Sequence, residues 1–361
     1  MELDGLFKYD CVALSSGGDG VVVLDQTLLP WEERFLVLRD EYQVYEAIAR
    51  LRVRGAPAIG VAAAYGLYVA FRRKAVQRDF KPDEASRVFH GIKDMLCSSR
   101  PTAVNLSAAL ERMGICFDSL SGHPLEQVLE ALRAEAESIK AEDVAMCRAI
   151  AEYGAGLIGR AGMGILTHCN AGHYAVSRYG TALAPIYLAH SRGLAPRVYA
   201  DETRPLMQGA RITAFELQKA GVDVTLLCDN MASSLMYSHR IDMVFTGCDR
   251  VAANGDTANK IGTSALAILA AYYGIPFYIL GPTSSIDPGT ASGADIPVEQ
   301  RDPSEVTDLY FERRIAPSGV KVYNPAFDIT PASLIAGIVT EKGIFRPPYD
   351  FSNLKLNENA V

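Results

Sequence analysis

Between residues 247 and 260 the chain reads Gly247-Cys248-Asp249-Arg250-Val251-Ala252-Ala253-Asn254-Gly255-Asp256-Thr257-Ala258-Asn259-Lys260, gathering acids, amides and cations behind an apolar run at 243–245. A carboxyl group shielded between strand ends can be held protonated and serve as a general acid, and Asp249 is the candidate. The competing arrangement is an ion pair with Arg250, which would depress the pKa and spoil the acid. Lys260 and Asn259, expected to begin the following helix, and Gln208, near the start of another, supply a cation and two amides suited to a phosphate and sugar hydroxyls. Cys169 follows a second apolar run and precedes Asn170-Ala171-Gly172. A helix amino terminus or a cation beside it would lower the pKa of its thiol. Cys228 and Cys248 occupy similar positions, and most cysteines are inert small hydrophobes, so position alone does not choose among the three.

Two arginines stand before helix starts. Arg54 precedes Gly55-Ala56-Pro57 and a helical pattern over 58–71, whose first N–H groups lack intrahelical partners and point outward as anion donors. Arg100 precedes Pro101-Thr102-Ala103, where Thr102 is a plausible cap. Together they suit a phosphate; alternatively each closes its own loop on backbone carbonyls. No His-x-x-x-His or Glu-x-x-His spacing occurs, and His168 and His173 lack obvious companions, so no metal is expected. Gly154-x-Gly156-x-x-Gly159 lies in helical pattern ahead of the first sheet strand, and no Gly-x-x-x-x-Gly-Lys-Ser/Thr occurs; neither a dinucleotide nor a nucleoside triphosphate site has support. No cofactor is expected.

These groups need elements to hold them. From Gly162 the chain repeats a beat of strand and helix, with strands at 164–167, 197–200, 224–227, 243–246 and 277–280. Parallel strands place their carboxyl ends on one edge, so His168-Cys169-Asn170, Asp201-Glu202-Thr203-Arg204, Cys228-Asp229-Asn230, Gly247-Cys248-Asp249 and Gly281-Pro282-Thr283-Ser284 are expected to converge there. Ahead of that region, residues 6–45 read as a small antiparallel meander leading into a helix, and 124–138 and 141–158 read as long amphipathic helices bridging two domains. Residues 283–317 read as a long ordered loop, followed by a strand at 320–323, a helix at 331–339 and a disordered tail at 351–361. The expected class is α/β: a smaller α+β domain at 1–140, and a Rossmann-like, mostly parallel sheet at 141–350.

Composition narrows the partners. The 361 residues are 49% hydrophobic and 21% charged, ordinary for a globular protein, and the net charge of -7 argues against nucleic acid. The longest proline-free apolar or small-residue run covers 59–71, short of a membrane span, and residues 1–4 carry no basic leader. Seven cysteines without a Cys-x-x-Cys pair fit a reducing compartment, and the cytoplasm is expected.

Taken together, Arg54-Gly55-Ala56-Pro57-Ala58-Ile59-Gly60, Arg100-Pro101-Thr102-Ala103-Val104-Asn105-Leu106, Thr167-His168-Cys169-Asn170-Ala171-Gly172, Glu202-Thr203-Arg204-Pro205 running to Gln208-Gly209-Ala210-Arg211, Asp249 to Asp256, Asn259-Lys260-Ile261-Gly262-Thr263 and Asn324-Pro325-Ala326-Phe327-Asp328 resemble the methylthioribose-1-phosphate isomerase family. That family is related to regulatory subunits of the translation-initiation guanine-nucleotide exchange factor. The resemblance implies aldose-ketose isomerisation of a sugar phosphate by a homodimer. It assigns Asp249 as proton donor, Cys169 as second catalytic group, and Arg54, Gly55, Ala56, Arg100, Gln208, Asn259 and Lys260 to substrate binding. Two positions depart from the family: Cys248 stands where alanine is common, a change of packing, and His173-Tyr174 replace a small apolar pair, which bears on the group at the sugar's 5-position. Related 5-substituted ribose 1-phosphates and a noncatalytic sensing role are the alternatives.

Overall fold

The computed structural model describes residues 3–100, 104–352 and 354, and divides into two compact units. Among the described residues, one comprises 7–147 and His173–Gly180; the other comprises residues 3–6, Arg148–Gly172 and 181–354.

The first unit opens with an antiparallel meander of β1 (Val12–Leu14), β2 (Val21–Leu24) and β3 (Phe35–Leu38), as expected from the alternating runs and turns. Asp40 then caps α1 (Glu41–Ala49), its carboxylate accepting the Gln43 N–H, a contact worth ~1 kcal/mol. Helix α2 (Ala56–Ala75) is apolar on every side through Phe71 and is buried accordingly. Around it pack α1, α3 (Ala85–Cys97) and α4 (Val104–Ser119), with Phe71 against Phe89 and Phe117 at ring separations of 5.3 and 5.4 Å. The stretch expected to form two bridging helices is a single helix, α5 (Leu125–Ala155); Ser138 to Lys140 carry no glycine or proline to break it.

The second unit is built on a sheet of seven strands: β4 (Gly164–His168), β5 (Arg197–Asp201), β6 (Asp223–Leu227), β7 (Met243–Thr246), β10 (Phe277–Leu280), β13 (Gly337–Thr340) and β14 (Gly343–Phe345). Their order is β14-β13-β10-β7-β4-β5-β6; all are parallel except β14, which pairs antiparallel with β13 at the edge. The chain starts in the centre, winds outward to β6, then returns to the other side of β4, the order of a doubly wound α/β sheet. Every residue of β4, β7 and β10 is buried, so these strands read as continuous apolar runs. Helices α6 (Ala184–Ser191), α7 (Ala214–Lys219), α8 (Ala232–Tyr237) and α9 (Thr263–Tyr273) lie between strands in sequence, and Leu266, Ala267 and Ala270 of α9 join Leu166, Val244, Phe277 and Ile338 in one core.

A second, four-stranded sheet has the order β11-β8-β9-β12, formed by β8 (Arg250–Ala252), β9 (Thr257–Lys260), β11 (Ile286–Asp287) and β12 (Phe327–Thr330). It departs from the sequence reading in three places. The polar segment ending in Asn259-Lys260 is a fully buried strand rather than a helix start, because β8 and β12 pair with it on either side. The expected strand at 320–323 is irregular, and the strand falls later, at β12. The expected helix at 331–339 is a single 3-10 turn followed by β13; a short apolar run does not by itself distinguish helix from buried strand. Residues 283–317 hold only short pieces, among them the four-residue α10 (Ser304–Thr307). Phe351, at the head of the stretch expected to be a tail, is buried beside Phe345 at 5.4 Å; residues 353 and 355–361 lie outside the described residues.

Candidate active site

The place where the chain reverses its winding is the gap between β4 and β7, which are hydrogen-bonded neighbours with His168 opposite Thr246. Cys169 is the residue after His168, and Asp249 lies three residues beyond Thr246. Both therefore leave the same carboxyl edge from adjacent parallel strands, the crevice in which open α/β sheets bind ligands. The thiol and the acid picked out by residue type share that edge.

Asp249 is solvent-exposed rather than shielded between strand ends as expected, because it lies three residues past the buried strand, where the chain turns into β8; its backbone N–H donates to the Ala258 carbonyl at 2.9 Å within the β8–β9 hairpin. Arg250 reaches across to Asp287 at 3.3 Å. At the end of β9, the Asn259 side-chain amide donates to Thr263 Oγ1 at 3.0 Å. The Lys260 ammonium donates to the Ala326 carbonyl at 3.0 Å and lies 4.6 Å from the centre of the Phe327 ring, whose π face attracts it. Both side chains are buried, so β9 holds a cation and an amide in place by its pairing with β12, where Lys260 faces Phe327 and Asn259 faces Asp328.

Cys169 adopts a left-handed backbone conformation, φ 61°, costly for a residue with a side chain. Two hydroxyls hold it there: its N–H donates to Thr203 Oγ1 at 2.7 Å, and its carbonyl accepts from Thr213 Oγ1 at 2.6 Å. Thr203, just past β5, is itself left-handed at φ 63°, and Thr213 closes a π-helical turn, Gly209–Thr213, of the kind that recurs at functional sites. Gln208 stands immediately before that turn, buried, with its Oε1 lacking a hydrogen-bond partner. The two rival thiols fare differently from each other: Cys228 is exposed with its pKa raised by the Glu202 carboxylate, while burial and then Asp249 push Cys248 up to about 12. Cys248 is thus a packing residue, its sulfur filling the space beside Gly281.

In the other unit, Gly55 caps α2 at φ 89°, and a Cβ there would collide with the Ala175 backbone. Only glycine meets both conditions. Ala56 begins α2, and Arg54, two residues ahead, is half-buried, as is Arg100. Helix α4 begins four residues after Arg100, while the expected cap, Thr102, lies outside the described residues. His173 and Tyr174 are buried within this unit, with the His173 ring 4.6 Å from Phe7 and the Tyr174 hydroxyl 3.1 Å from that of Tyr9.

One cluster was not singled out from the sequence, although its members were placed on the same edge. His168, expected at the common strand edge but without obvious companions as a ligand, has two: Asp201 at the end of β5 and Asp229 beyond β6, with ligand-type atoms all within 4.8 Å of one another. The available signal was that all three close neighbouring strands. Five of their six side-chain polar atoms already carry hydrogen bonds: His168 Nδ1 faces Asp201 Oδ2 at 3.0 Å, His168 Nε2 faces the Ile261 carbonyl at 2.9 Å, and the two Asp229 oxygens accept the Thr203 and Arg204 N–H groups at 2.7 Å each. The sixth, Asp201 Oδ1, has none.

A doubly wound sheet with a left-handed cysteine and an acid following the two strands at its switch point defines an α/β protein of the kind that binds ligands at that edge. The chain belongs to the Initiation factor 2 subunit family, whose model matches residues 52–347. It is 58% identical over 338 residues to a methylthioribose-1-phosphate isomerase of Symbiobacterium thermophilum, covering 94% of this chain and 93% of that one. It is 55% identical over 349 residues to a 5-deoxyribose 1-phosphate isomerase of Petrotoga mobilis, covering 96% and 99%. Among solved structures, the 5-methylthioribose 1-phosphate isomerase of Pyrococcus horikoshii superposes with a TM-score of 0.90 at 40% identity, over 97% of each chain.

Proposed function

We propose that the protein is an aldose-ketose isomerase that converts 5-methylthioribose 1-phosphate into 5-methylthioribulose 1-phosphate, a step of methionine salvage. The observation that carries this is the 58% identity to a protein of that name across nearly the full length of both chains. The departure of Cys169 and Asp249 from adjacent strands at one edge supports it independently. The phosphate on C1 prevents spontaneous opening to a free aldehyde, so the ring must be broken with the phosphate held. Asp249 protonates the ring oxygen as the bond from that oxygen to C1 breaks. Hydrogen then moves from C2 to C1, either as a proton through an enediol-like intermediate with Cys169 taking part, or as a hydride. Exclusion of water favours both routes, since it protects the intermediate and strengthens fixed charges. Gln208, Asn259 and Lys260 are the sugar-phosphate ligands this reading assigns to the second unit; for Arg54, Gly55, Ala56 and Arg100 of the first unit the support is the family resemblance of their motifs. On this reading the protein acts without a cofactor, as a cytoplasmic homodimer.

Turnover of purified 5-methylthioribose 1-phosphate tests the reading. Asp249→Asn and Cys169→Ser should each lower kcat by about 100-fold or more, the scale of positioned acid-base catalysis. If both variants keep wild-type turnover, the catalytic assignment fails. The Petrotoga relative favours a second substrate, 5-deoxyribose 1-phosphate. Competition between the two sugars, read as the ratio of kcat/KM values, ranks them; equal values would remove the preference for the methylthio group.

A further inference from the structure

We infer that His168 and Asp201 form a positioning pair that shares one proton, and that this pair fastens the Cys169 strand end to the segment following Lys260. The inference rests on the isomerase reading for its consequence in catalysis, and on geometry alone for the pair itself. A backbone carbonyl only accepts, so His168 Nε2, 2.9 Å from the Ile261 carbonyl, must carry a hydrogen and donate it. Nδ1 lies 3.0 Å from Asp201 Oδ2, a distance that requires a hydrogen between them as well. The pair is therefore either imidazolium with carboxylate or neutral imidazole with carboxylic acid. In both forms it holds one shared proton and no net charge, which suits side chains only 2% and 1% exposed.

The consequence is mechanical. His168 precedes Cys169; Asp201 lies two residues before Thr203, whose hydroxyl accepts the Cys169 N–H and donates to the Asp201 carbonyl at 3.1 Å. Ile261 follows Lys260, and the next residue, Gly262, turns at φ 104° with its Cα against the imidazole: a Cβ there would lie 2.8 Å from His168 Cε1. One imidazole thus ties together the ends of β4, β5 and β9, the three elements that carry Cys169, Thr203 and the pair Asn259 and Lys260. Both ring nitrogens of His168 are taken, by Asp201 and by the Ile261 carbonyl, so the pair acts through the elements it joins. The charged groups around it are Asp201 and Glu202 on and after β5, Asp229 after β6, Asp328 on β12, which accepts the Gly262 N–H at 2.8 Å, and Lys260 on β9, turned to the Ala326 carbonyl. Burial opposes charging the imidazole, yet Asp201 raises its pKa above the ordinary value; burial likewise raises Asp201. Both shifts act to retain the shared proton. Its loss at alkaline pH would leave a buried negative charge facing a lone pair.

Two measurements test this. In the wild-type protein labelled with 15N-histidine, the His168 resonances, assigned by their disappearance in His168→Gln, should show Nε2 protonated and Nδ1 in a strong hydrogen bond from pH 6 to 8. A bare Nε2 overturns the shared proton, whatever the enzyme's substrate. Kinetically, His168→Leu should lower kcat by about 100-fold with KM changed less than about threefold, since a small misplacement of reacting groups falls mainly on the chemical step. Asp201→Asn offers an amide N–H to Nδ1 and leaves Nε2–H in place. It should recover kcat to within about fivefold of wild type, and lose any alkaline decline that the shared proton causes in the wild-type kcat profile. Unchanged kcat in His168→Leu, or an Asp201→Asn loss as deep as that of His168→Leu, overturns the positioning role. Absence of turnover in the wild type would sink the isomerase reading instead, and the resonance experiment would still decide the pair.

Discussion

Replacing Thr203 by valine removes one oxygen and leaves the shape of the side chain almost unchanged. That oxygen accepts the Cys169 N–H at 2.7 Å and donates to the Asp201 carbonyl at 3.1 Å, in a side chain with no solvent exposure. Thr203→Val leaves a donor and an acceptor buried without these partners, at ~1–3 kcal/mol for each, so the loss of stability should be about 2–6 kcal/mol. Part of that loss can be relieved if Cys169 abandons its left-handed conformation, since φ 61° costs roughly 1–2 kcal/mol and is held by this contact and by Thr213. Relaxation would swing the thiol away from the edge it shares with Asp249, and displacement by about 1 Å is enough to lower kcat ~100-fold. Valine and threonine are both β-branched, so strain at φ 63° is the same in each and cancels from the comparison. Thr203→Ser keeps the hydroxyl and is the control, losing only the methyl group, about 1 kcal/mol. Thermal melting and steady-state kinetics on the two variants supply the readout. If Thr203→Val melts with the wild type and turns over at the same rate, the claim that this hydroxyl holds Cys169 in place is wrong.

Gly55→Ala should be more damaging than an ordinary helix-cap change, because the new methyl group meets the Ala175 backbone and φ 89° disfavours any side chain; a loss of at least ~2 kcal/mol in unfolding free energy is expected, and a melting temperature equal to wild type would contradict it. Asp256 gives a pH dependence. Burial acts to raise its carboxyl, but hydrogen bonds from the Ala332 N–H at 2.8 Å, the Asn254 amide at 2.9 Å and the Gly293 N–H at 3.0 Å outweigh it and hold the group below its ordinary value. A depressed carboxyl stabilises the fold above the unfolded-state pKa, and that contribution is lost as pH falls through the lower folded-state value. Asp256→Asn should therefore narrow its stability deficit against wild type between neutral and strongly acidic pH, measured by denaturant titration at each; a deficit independent of pH would remove the ionised group from the account.

The parts of this molecule that were legible in its sequence are those in which burial imposes a local pattern. Strands β4, β5, β6, β7 and β10 sit within a residue of their expected positions; for β4, β7 and β10 the reason is that a strand covered on both faces must be largely apolar and must end where its polar residues begin. Cys169 and Asp249 could be assigned to one edge for the same reason: parallel strands leave no other place for residues that follow them. Strand β9 was not legible. Thr257-Ala258-Asn259-Lys260 has no apolar alternation, and it is a strand only because β8 and β12, the latter some seventy positions away, supply hydrogen bonds to both of its sides.

His168 marks the same boundary more sharply. Its type and position were visible, but its role depends on Asp201 and on the carbonyl of Ile261, which arrive from two other strand ends and leave no periodic trace. A buried histidine at the end of a parallel strand therefore has to be judged against the acids that close the strands beside it, and here those acids had already been noted as strand-end residues. What sequence spacing lacked was the sheet order. Once β4 is known to lie beside β5, and β5 beside β6, the meeting of His168, Asp201 and Asp229 follows from topology. Only the direction of each hydrogen bond still needs coordinates, and that direction is what fixes the proton on Nε2 and makes the pair testable.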